Sequence, residues 1–200
     1  MRYCKHHPRK QAGFTLLEVL IGIVVVSIGL LTVAALQVVT KKANYEAVQR
    51  TTASLLAYDL AERMRANTSQ LNEYITAAGT SLGGSTITPE PTPVCNAANP
   101  CNPEQLANHD LWEWEQALDG ATEVAAIAGV NTQTGGLVQP SGCVSGPVIG
   151  GTGLYTIAIA RRGTTALSNP TVNNCGQASG KYGANDEFRR ILVYQVFIAS

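Results

Sequence analysis

The sequence predicts an α+β protein in which one very long N-terminal helix precedes an antiparallel sheet. Three observations lead to this fold class. Residues 19–39 form an apolar stretch of 21 residues without a charge. Residues 41–67 contain no proline or glycine and are rich in good helix formers, so the helix is expected to continue to about residue 67. After Gly120 the spacing of apolar residues changes from a helical period to that of strands.

The apolar stretch is long enough to span a bilayer as one helix. It follows a basic head that carries Arg2, Lys5, Arg9 and Lys10. This bias predicts a cytoplasmic N-terminus, with the remaining residues outside. A cleaved secretory signal and a plain single-pass anchor are the simpler interpretations. Against a cleaved signal, the stretch is long for an apolar signal region, and no small-x-small site follows it.

One carboxylate, Glu18, comes just before this stretch and lies four residues inside the otherwise apolar segment that begins at Phe14. A carboxylate costs about 2.5–3.5 kcal/mol at the centre of a spanning helix and less near its end. We therefore expect Glu18 to have a partner for its charge. Its place in the first turns also suits the positive end of the helix dipole.

The run Gly13-Phe14-Thr15-Leu16-Leu17-Glu18 resembles the type III signal of type IV prepilins and of the pseudopilins of type II secretion. The resemblance implies that a prepilin peptidase cuts between Gly13 and Phe14, on the cytoplasmic side, and that the Phe14 amine is N-methylated. It also implies that Glu18 of an incoming subunit pairs with the Phe14 amine of its neighbour. Such a pair offsets the desolvation of both charges.

The fold implied is type IV pilin-like, with one long helix packed on a C-terminal antiparallel β-sheet head. The chain then has four parts: a leader (1–13), a transmembrane and assembly half of the helix (14–40), an amphipathic half (41–67) and a periplasmic globular head (68–200). The amphipathic half is expected to bury an apolar stripe on the head, formed by Val48, Leu55, Leu56, Leu60 and Met64.

The same half carries four charged residues near its end: Asp59, Glu62, Arg63 and Arg65. Two interpretations stay open. The charges form ion pairs within the helix at three- and four-residue spacing, or they are candidate inter-subunit contacts.

Residues 56–67, which end in Arg-Met-Arg-Ala-Asn, resemble the close of the long helix in PilV-type minor pilins, also called type IV pilus modification proteins. Two further features are similar to these pilins. Cys95 and Cys101 are followed by a Trp-bearing helix around residues 110–118, and the Arg189-Arg190 pair precedes the last strand. Two departures are Leu118-Asp119-Gly120, where these pilins often have Leu-Pro-Gly, and Arg161-Arg162, where a Trp is common.

This resemblance implies a non-catalytic minor pilin that takes part in a priming or tip complex and supports pilus biogenesis and twitching motility. The implied partners are the prepilin peptidase, other minor pilins, the major pilin, the inner-membrane assembly platform and a tip adhesin. The implied location is the inner membrane of a Gram-negative bacterium, crossed once, and then the pilus fibre. The alternative is a minor pseudopilin of a type II secretion system.

In the head, Asn102, Pro103 and Gln105 predict a helix start, and Gly120 suits its end. Ala107, Leu111, Trp114 and Leu118 mark its buried face, and core and rim packing is the favoured role of Trp112 and Trp114. Four strands are predicted over 122–130, 136–144, 154–160 and 189–198. The third alternates at Tyr155, Ile157 and Ile159 and is expected to be half-buried. In the last, the run 191–198 is apolar apart from Gln195 and is expected to be covered on both faces.

Cys4 leaves with the leader, and an even set remains outside the cytoplasm: Cys95, Cys101, Cys143 and Cys175. Of the three possible pairings we favour Cys95–Cys101 and Cys143–Cys175. Loop closure would then contribute about 2–2.5 and 3.5–4 kcal/mol respectively. A zinc site of Cys95, Cys101 and His109 is the alternative, although its spacing matches no closed tetrahedral pattern.

Catalysis and nucleic-acid binding find little support in the sequence. His6 and His7 lie in the leader, so His109 is the only histidine of the mature chain, and no nucleophile motif accompanies it. No phosphate-cradling glycine motif is present. After the leader, ten Lys and Arg stand against 14 Asp and Glu, a net charge of about −4 without a basic stripe. No cofactor or metal is expected.

Overall fold

The computed structural model describes residues 13–77, 79–84, 86–87, 89–121, 123–127, 129–133, 135–147 and 151–199. It has the predicted α+β architecture, with a long helix, a second helix and antiparallel strands. Residues 1–12 of the predicted leader, with Cys4, His6 and His7, lie outside the described residues. The elements are α1 (Leu16–Ala66), a 3₁₀ turn (Thr68–Gln70), α2 (Pro103–Asp119), β1 (Val124–Ile127), β2 (Val130–Gln133), β3 (Ser141–Ser145), β4 (Gly153–Arg162) and β5 (Arg189–Ile198).

The chain divides into two compact units, with the boundary between Ala43 and Asn44. In the first unit, the described residues form the N-terminal part of α1. Three hydroxyls within it donate to main-chain carbonyls one turn earlier: Ser27 to Ile23 at 2.7 Å, Thr32 to Ile28 at 2.7 Å and Thr40 to Leu36 at 2.9 Å. These polar groups are therefore satisfied within the helix, which an apolar environment requires.

The core of the second unit forms where α1 contacts α2 and the sheet. The predicted stripe of α1 is confirmed only in part, because Val48 and Leu55 are 61% and 65% exposed, whereas Leu56 packs partly buried against the core. Leu60 and Met64 are buried as expected. The remaining buried positions hold Gln49 and three small residues, Ala53, Ala57 and Ala61. Small side chains let neighbouring elements approach the helix closely, and their weak hydrophobicity hides the stripe in the sequence.

Helix α2 begins and ends as its sequence predicts. The Asn102 side chain accepts the Gln105 main-chain N–H at 2.8 Å, and the Gln105 side chain accepts the Asn102 N–H at 3.1 Å. Gly120 ends the helix in the left-handed conformation, at φ 69°. The predicted apolar face is buried, and Trp114 is completely so.

The main sheet has the order β3-β4-β5 and is antiparallel throughout. Tyr155, Ile157 and Ile159 of β4 are fully buried, as their alternation predicts. The expectation of a half-buried strand was wrong, because Ala158 and Ala160 on the opposite face are buried as well. The expectation that β5 is covered on both faces was wrong. Val196 and Ile198 are buried on one face, whereas Phe197 is 63% exposed on the other, so only one side of this strand contacts the core.

Two strand boundaries also differ from expectation. The predicted strand 122–130 is a hairpin of β1 and β2, with Gly129 at the turn at φ 80°. The predicted strand 136–144 begins only at Ser141. Before it, the Leu137 N–H donates to the Leu118 carbonyl at 2.8 Å, so this segment is bound to the end of α2 instead.

Candidate functional site

The start of α1 is held by Thr15. The Glu18 main-chain N–H lies 3.1 Å from the Thr15 carbonyl and 3.3 Å from its Oγ1, and Val19 donates to the same carbonyl at 3.3 Å. Thr15 is thus the N-cap, and Glu18 is the third residue of the helix. Sequence reasoning missed this role of Thr15, although Thr-x-x-Glu is the capping-box spacing. The Glu18 carboxylate is exposed in the first turn, where the helix dipole favours a negative charge.

Gly13 and Phe14 precede the helix in an open environment. A Cβ placed on Gly13 would meet no heavy atom within 4 Å, so nothing in the described fold requires glycine there. Phe14 is 82% exposed. The described contacts of these residues therefore leave both free for a role outside the folded core.

The N-terminal part of α1 is apolar on every side. Its large hydrophobic residues between Leu16 and Val39 are between 49% and 84% exposed. Within the described part of the chain, α1 is the one helix long and apolar enough to cross a membrane by length and composition. The Glu18 carboxylate is the only charge on this surface.

The second candidate site is a charged cluster centred on Arg63, near the end of α1. The Arg63 guanidinium lies 2.9 Å from Asp59 on its own helix, and it also reaches α2, at 3.0 Å from Asp110 and 2.6 Å from Glu113. The buried Tyr74 hydroxyl donates to the other Asp110 oxygen at 2.5 Å. One guanidinium thus joins three carboxylates and ties two helices together within the same chain.

The electrostatics of this cluster keep Arg63 charged. Burial alone would lower the pKa of its guanidinium, but the hydrogen bonds to Glu113 and Asp110 and the charge of Asp59 raise it. Burial and the hydrogen bond to Asp110 likewise raise the pKa of Tyr74 above its usual range. Tyr74 therefore stays a neutral donor.

The other two charged residues of this run lie on the exposed side. Arg65 and Glu62 form an ion pair at three-residue spacing, and both side chains are more than 40% exposed. The Asp59 side chain is half-exposed. The four predicted contact residues therefore differ in their surroundings. Arg63 is used mainly inside the chain, whereas Glu62 and Arg65 remain accessible.

Two disulfides are present, Cys95–Cys101 and Cys143–Cys175, with Cα atoms 5.3 Å and 5.8 Å apart. They are the two pairs that the sequence spacing favours. His109 lies 3.3 Å from Glu90 and 3.8 Å from Glu113, not with the cysteines as the zinc alternative supposed. Across the described residues, no three His, Cys, Asp or Glu side chains are grouped to hold a metal.

A polar anchor that the sequence did not reveal joins α1 to the end of β4. Arg161 donates to Glu46 at 2.8 Å, and the other Glu46 oxygen accepts the Thr164 N–H at 2.6 Å. Burial would raise the Glu46 pKa, but these bonds outweigh it and lower the value. Arg161, one of the two departures from the pilin pattern, is thus a structural residue.

A buried carboxylate, Glu115 of α2, holds the preceding loop. It accepts the main-chain N–H groups of Gly83, Thr86 and Ile87 at 2.6–2.7 Å. Burial raises its pKa, but these bonds and that of the Thr86 hydroxyl lower it below the usual range. The Lys181 ammonium ties the same loop to β3, donating to the carbonyls of Gly83 at 3.1 Å and of Pro140 at 2.8 Å.

Arg189, at the start of β5, holds the loop of residues 169–175, which ends at Cys175 of the second disulfide. Its buried guanidinium donates to the Asn169 side chain and to the carbonyls of Asn173 and Cys175, each at 2.9 Å, and also to the Pro170 carbonyl. Burial lowers the pKa of this guanidinium. The late Arg189-Arg190 pair therefore includes a loop anchor.

The comparisons with known proteins agree with this geometry. Residues 8–34 match the family model described as a prokaryotic N-terminal methylation motif. Residues 35–112 match the model described as type IV pilin Tt1218, of the Tt1218-like family. The chain carries a type IV pilin region behind a prepilin methylation motif. This pilin region extends from the apolar part of α1, through the Arg63 cluster, into α2.

The type IV pilin family is structural and in general non-catalytic. No curated protein and no solved structure matches the chain. The long helix and the antiparallel sheet fit the type IV pilin fold. The chain is thus a pilus-related component with a helix suited to membrane anchoring, and its subtype is a matter of proposal.

Proposed function

We propose that this pilin is a non-catalytic minor pilin of the PilV type, which takes part in the priming or tip complex of a type IV pilus. The observation that carries the assembly role is the exposed carboxylate of Glu18 in an apolar surface that no other described residue of its unit covers. The resemblance of residues 56–67 to PilV-type minor pilins supports the subtype. In a membrane or a helical stack, such a charge is unfavourable without a cation. The amine of a processed Phe14 is the cation that assembly provides.

Maturation follows from this arrangement. The prepilin peptidase cuts between Gly13 and Phe14, and Phe14 is then N-methylated. The new amine lies at the positive end of the α1 dipole, where it is unfavourable, whereas Glu18 is favourable there. Pairing of Glu18 with the Phe14 amine of a neighbouring subunit offsets the desolvation of both charges. The open surroundings of Gly13 support this order, because cleavage there disturbs no described contact.

The end of the amphipathic half of α1 selects the neighbours. The exposed Glu62 and Arg65 are the best placed of the predicted contact residues, with Asp59 beside them. Reversal of Arg65 to Glu is expected to weaken pull-down of the other minor pilins without loss of stability. Arg63→Glu would lower stability as well, because Arg63 holds α2. Unchanged complexes with the Arg65 variant would argue against a contact at this face.

Before assembly the subunit is anchored in the inner membrane by α1, with residues 1–13 in the cytoplasm and residues 68–200 in the periplasm. Its partners are the peptidase, other minor pilins, the major pilin, the assembly platform and a tip adhesin. After assembly it forms part of the fibre.

Deletion of the gene, scored for surface pili, twitching motility and exoprotein secretion, tests the function. We expect loss of pili and motility with secretion intact, restored by the native gene but not by one encoding Glu18→Ala. Loss of secretion with normal pili would overturn the proposal in favour of a minor pseudopilin of type II secretion.

A further inference from the structure

The edge of the main sheet at β5 is open in the described part of the chain. β5 is a ten-residue strand, and only β4 pairs with it. Just beyond the end of β4 and before the start of β5, the Gly163 N–H donates to the Phe188 carbonyl at 2.8 Å. Antiparallel bonding alternates, so the main-chain groups of every second residue from there point away from β4. These residues are Ile191, Val193, Gln195 and Phe197.

A groove of about 670 Å³ runs along this edge, with α1 as its other wall. Four consecutive residues of β5, from Arg190 to Val193, line it. Because side chains alternate between the two faces of a strand, only a groove at the edge can touch all four. Ala47 and Arg50 line the α1 side, within the same compact unit.

The groove is positively charged. Arg50, Arg161 and Arg190 line it, against one carboxylate, Glu46, which is already bonded to Arg161 and Thr164. Arg190 donates to main-chain carbonyls and to the Thr165 hydroxyl. Among the described residues, neither Arg50 nor Arg190 has a carboxylate partner. The positive charges of these two residues are therefore not neutralised by a described carboxylate, and they can attract an acidic side chain from outside.

We propose that this groove takes an extended, acidic segment of a different pilin subunit, which adds to β5 as a fourth strand. The outward main-chain groups of β5 would bond the added strand, as in other cases of β-strand addition. The guanidiniums of Arg50 and Arg190 would bind a carboxylate of that segment, which fixes its register. The inference rests on the proposed function, since it takes the occupant from a pilus assembly.

The test uses the full chain in its native membrane with the other pilus proteins present. The photocrosslinker p-benzoylphenylalanine is placed at Ala47, in the groove, and in a separate strain at Val26, in the apolar part of α1. We expect the Ala47 probe to crosslink to an extended segment with at least one Asp or Glu in another pilin, as mapped by mass spectrometry.

Two pairs of variants then test the two kinds of contact. Gln195→Pro removes one outward N–H and leaves the bonds to β4, so the Ala47 crosslink should fall about fivefold, whereas Gln195→Ala should retain it. Arg50→Glu should lower it by about the same factor and Arg50→Lys should largely preserve it. A yield that Gln195→Pro leaves unchanged would overturn strand addition.

The Val26 probe separates this inference from the proposed function. Crosslinks from Val26 to other pilins, with none from Ala47, contradict the groove alone. Crosslinks from Ala47 to lipid, to a helix of a neighbour or to a second copy of this chain contradict it as well. Absence of pilin crosslinks from both positions counts against the proposed function itself.

Discussion

The indole N–H of Trp114 on α2 donates to the main-chain oxygen of Leu56 on α1 across 2.9 Å. This hydrogen bond joins the two helices at the centre of the core, and Trp114 is completely buried. Trp112, two residues earlier, is only half-buried and lies against His109. The predicted packing roles are thus confirmed, with Trp114 in the core and Trp112 at its rim.

Loss of Trp114 should therefore be costly. We expect Trp114→Phe to lower the free energy of unfolding by about 1–3 kcal/mol, since it leaves the hydrogen-bond site empty. Trp114→Ala should cost about 3–5 kcal/mol. Guanidinium titration of the full chain in detergent, followed by far-UV circular dichroism, measures both. Trp112→Phe is the control, and an equal effect of this variant would contradict the assignment.

Arg63 and Arg65 should differ in stability although they lie two residues apart. Arg63→Ala leaves Asp110 and Glu113 without their cation, and we expect a loss of about 1.5–3 kcal/mol. Arg65→Ala breaks an exposed pair and should cost less than about 0.5 kcal/mol. The same titration compares them. If both variants lost stability equally, the Arg63 link between α1 and α2 would be unimportant.

Glu115 should make the head sensitive to acid. Its pKa is lower in the folded chain than in the unfolded chain, so it stabilises the fold fully above the unfolded value of about 4.3. That stability is lost as the pH falls below about 4.3 and through the folded pKa. Glu115→Gln should lower stability at pH 7 and flatten its decline between about pH 5 and pH 3. An unchanged pH slope would exclude this role, with Glu104→Gln as an exposed control.

Gly13 should matter for processing and not for folding. A bulky residue, as in Gly13→Phe, should block cleavage and leave a precursor that retains the leader, which immunoblotting and intact-mass measurement detect. The melting temperature of the head should stay the same, because a Cβ at this position meets nothing within 4 Å. Normal cleavage of this variant would refute the site.

Glu18 should matter for assembly and not for processing. Glu18→Ala keeps the Thr15 cap, because the donor in that bond is the main-chain N–H. We therefore expect a cleaved, methylated subunit at normal membrane levels that fails to enter pili, assayed by fractionation of sheared fibres. Glu18→Asp is the matched control for charge. Normal incorporation of the alanine variant would disprove the pairing with Phe14.

Local signals predicted several elements well. The capping residues of α2 and the alternation in β4 involve residues close in sequence, so a local pattern is enough to predict this helix and this strand. The stripe of α1 was harder, because Ala53, Ala57 and Ala61 bury little apolar area each. Val48 and Leu55 have a stronger hydrophobic signal, yet they are exposed in the isolated subunit.

The polar anchors were beyond sequence reasoning. Glu46 and Arg161 are 115 positions apart, and Arg63 reaches Asp110 over 47. No local period links such partners, and a charged residue read alone suggests a solvated surface. The same limit applies to the Glu115 site, where most donors are main-chain groups that any sequence supplies.

The loop bound by Arg189 has a consequence for evolution. Three of its four acceptor residues contribute a main-chain carbonyl, and these groups survive any substitution. The side chains of Thr171, Val172 and Asn174 between them are exposed. This surface is therefore free to diverge between strains while its backbone keeps one shape, as long as a single arginine is retained beneath it.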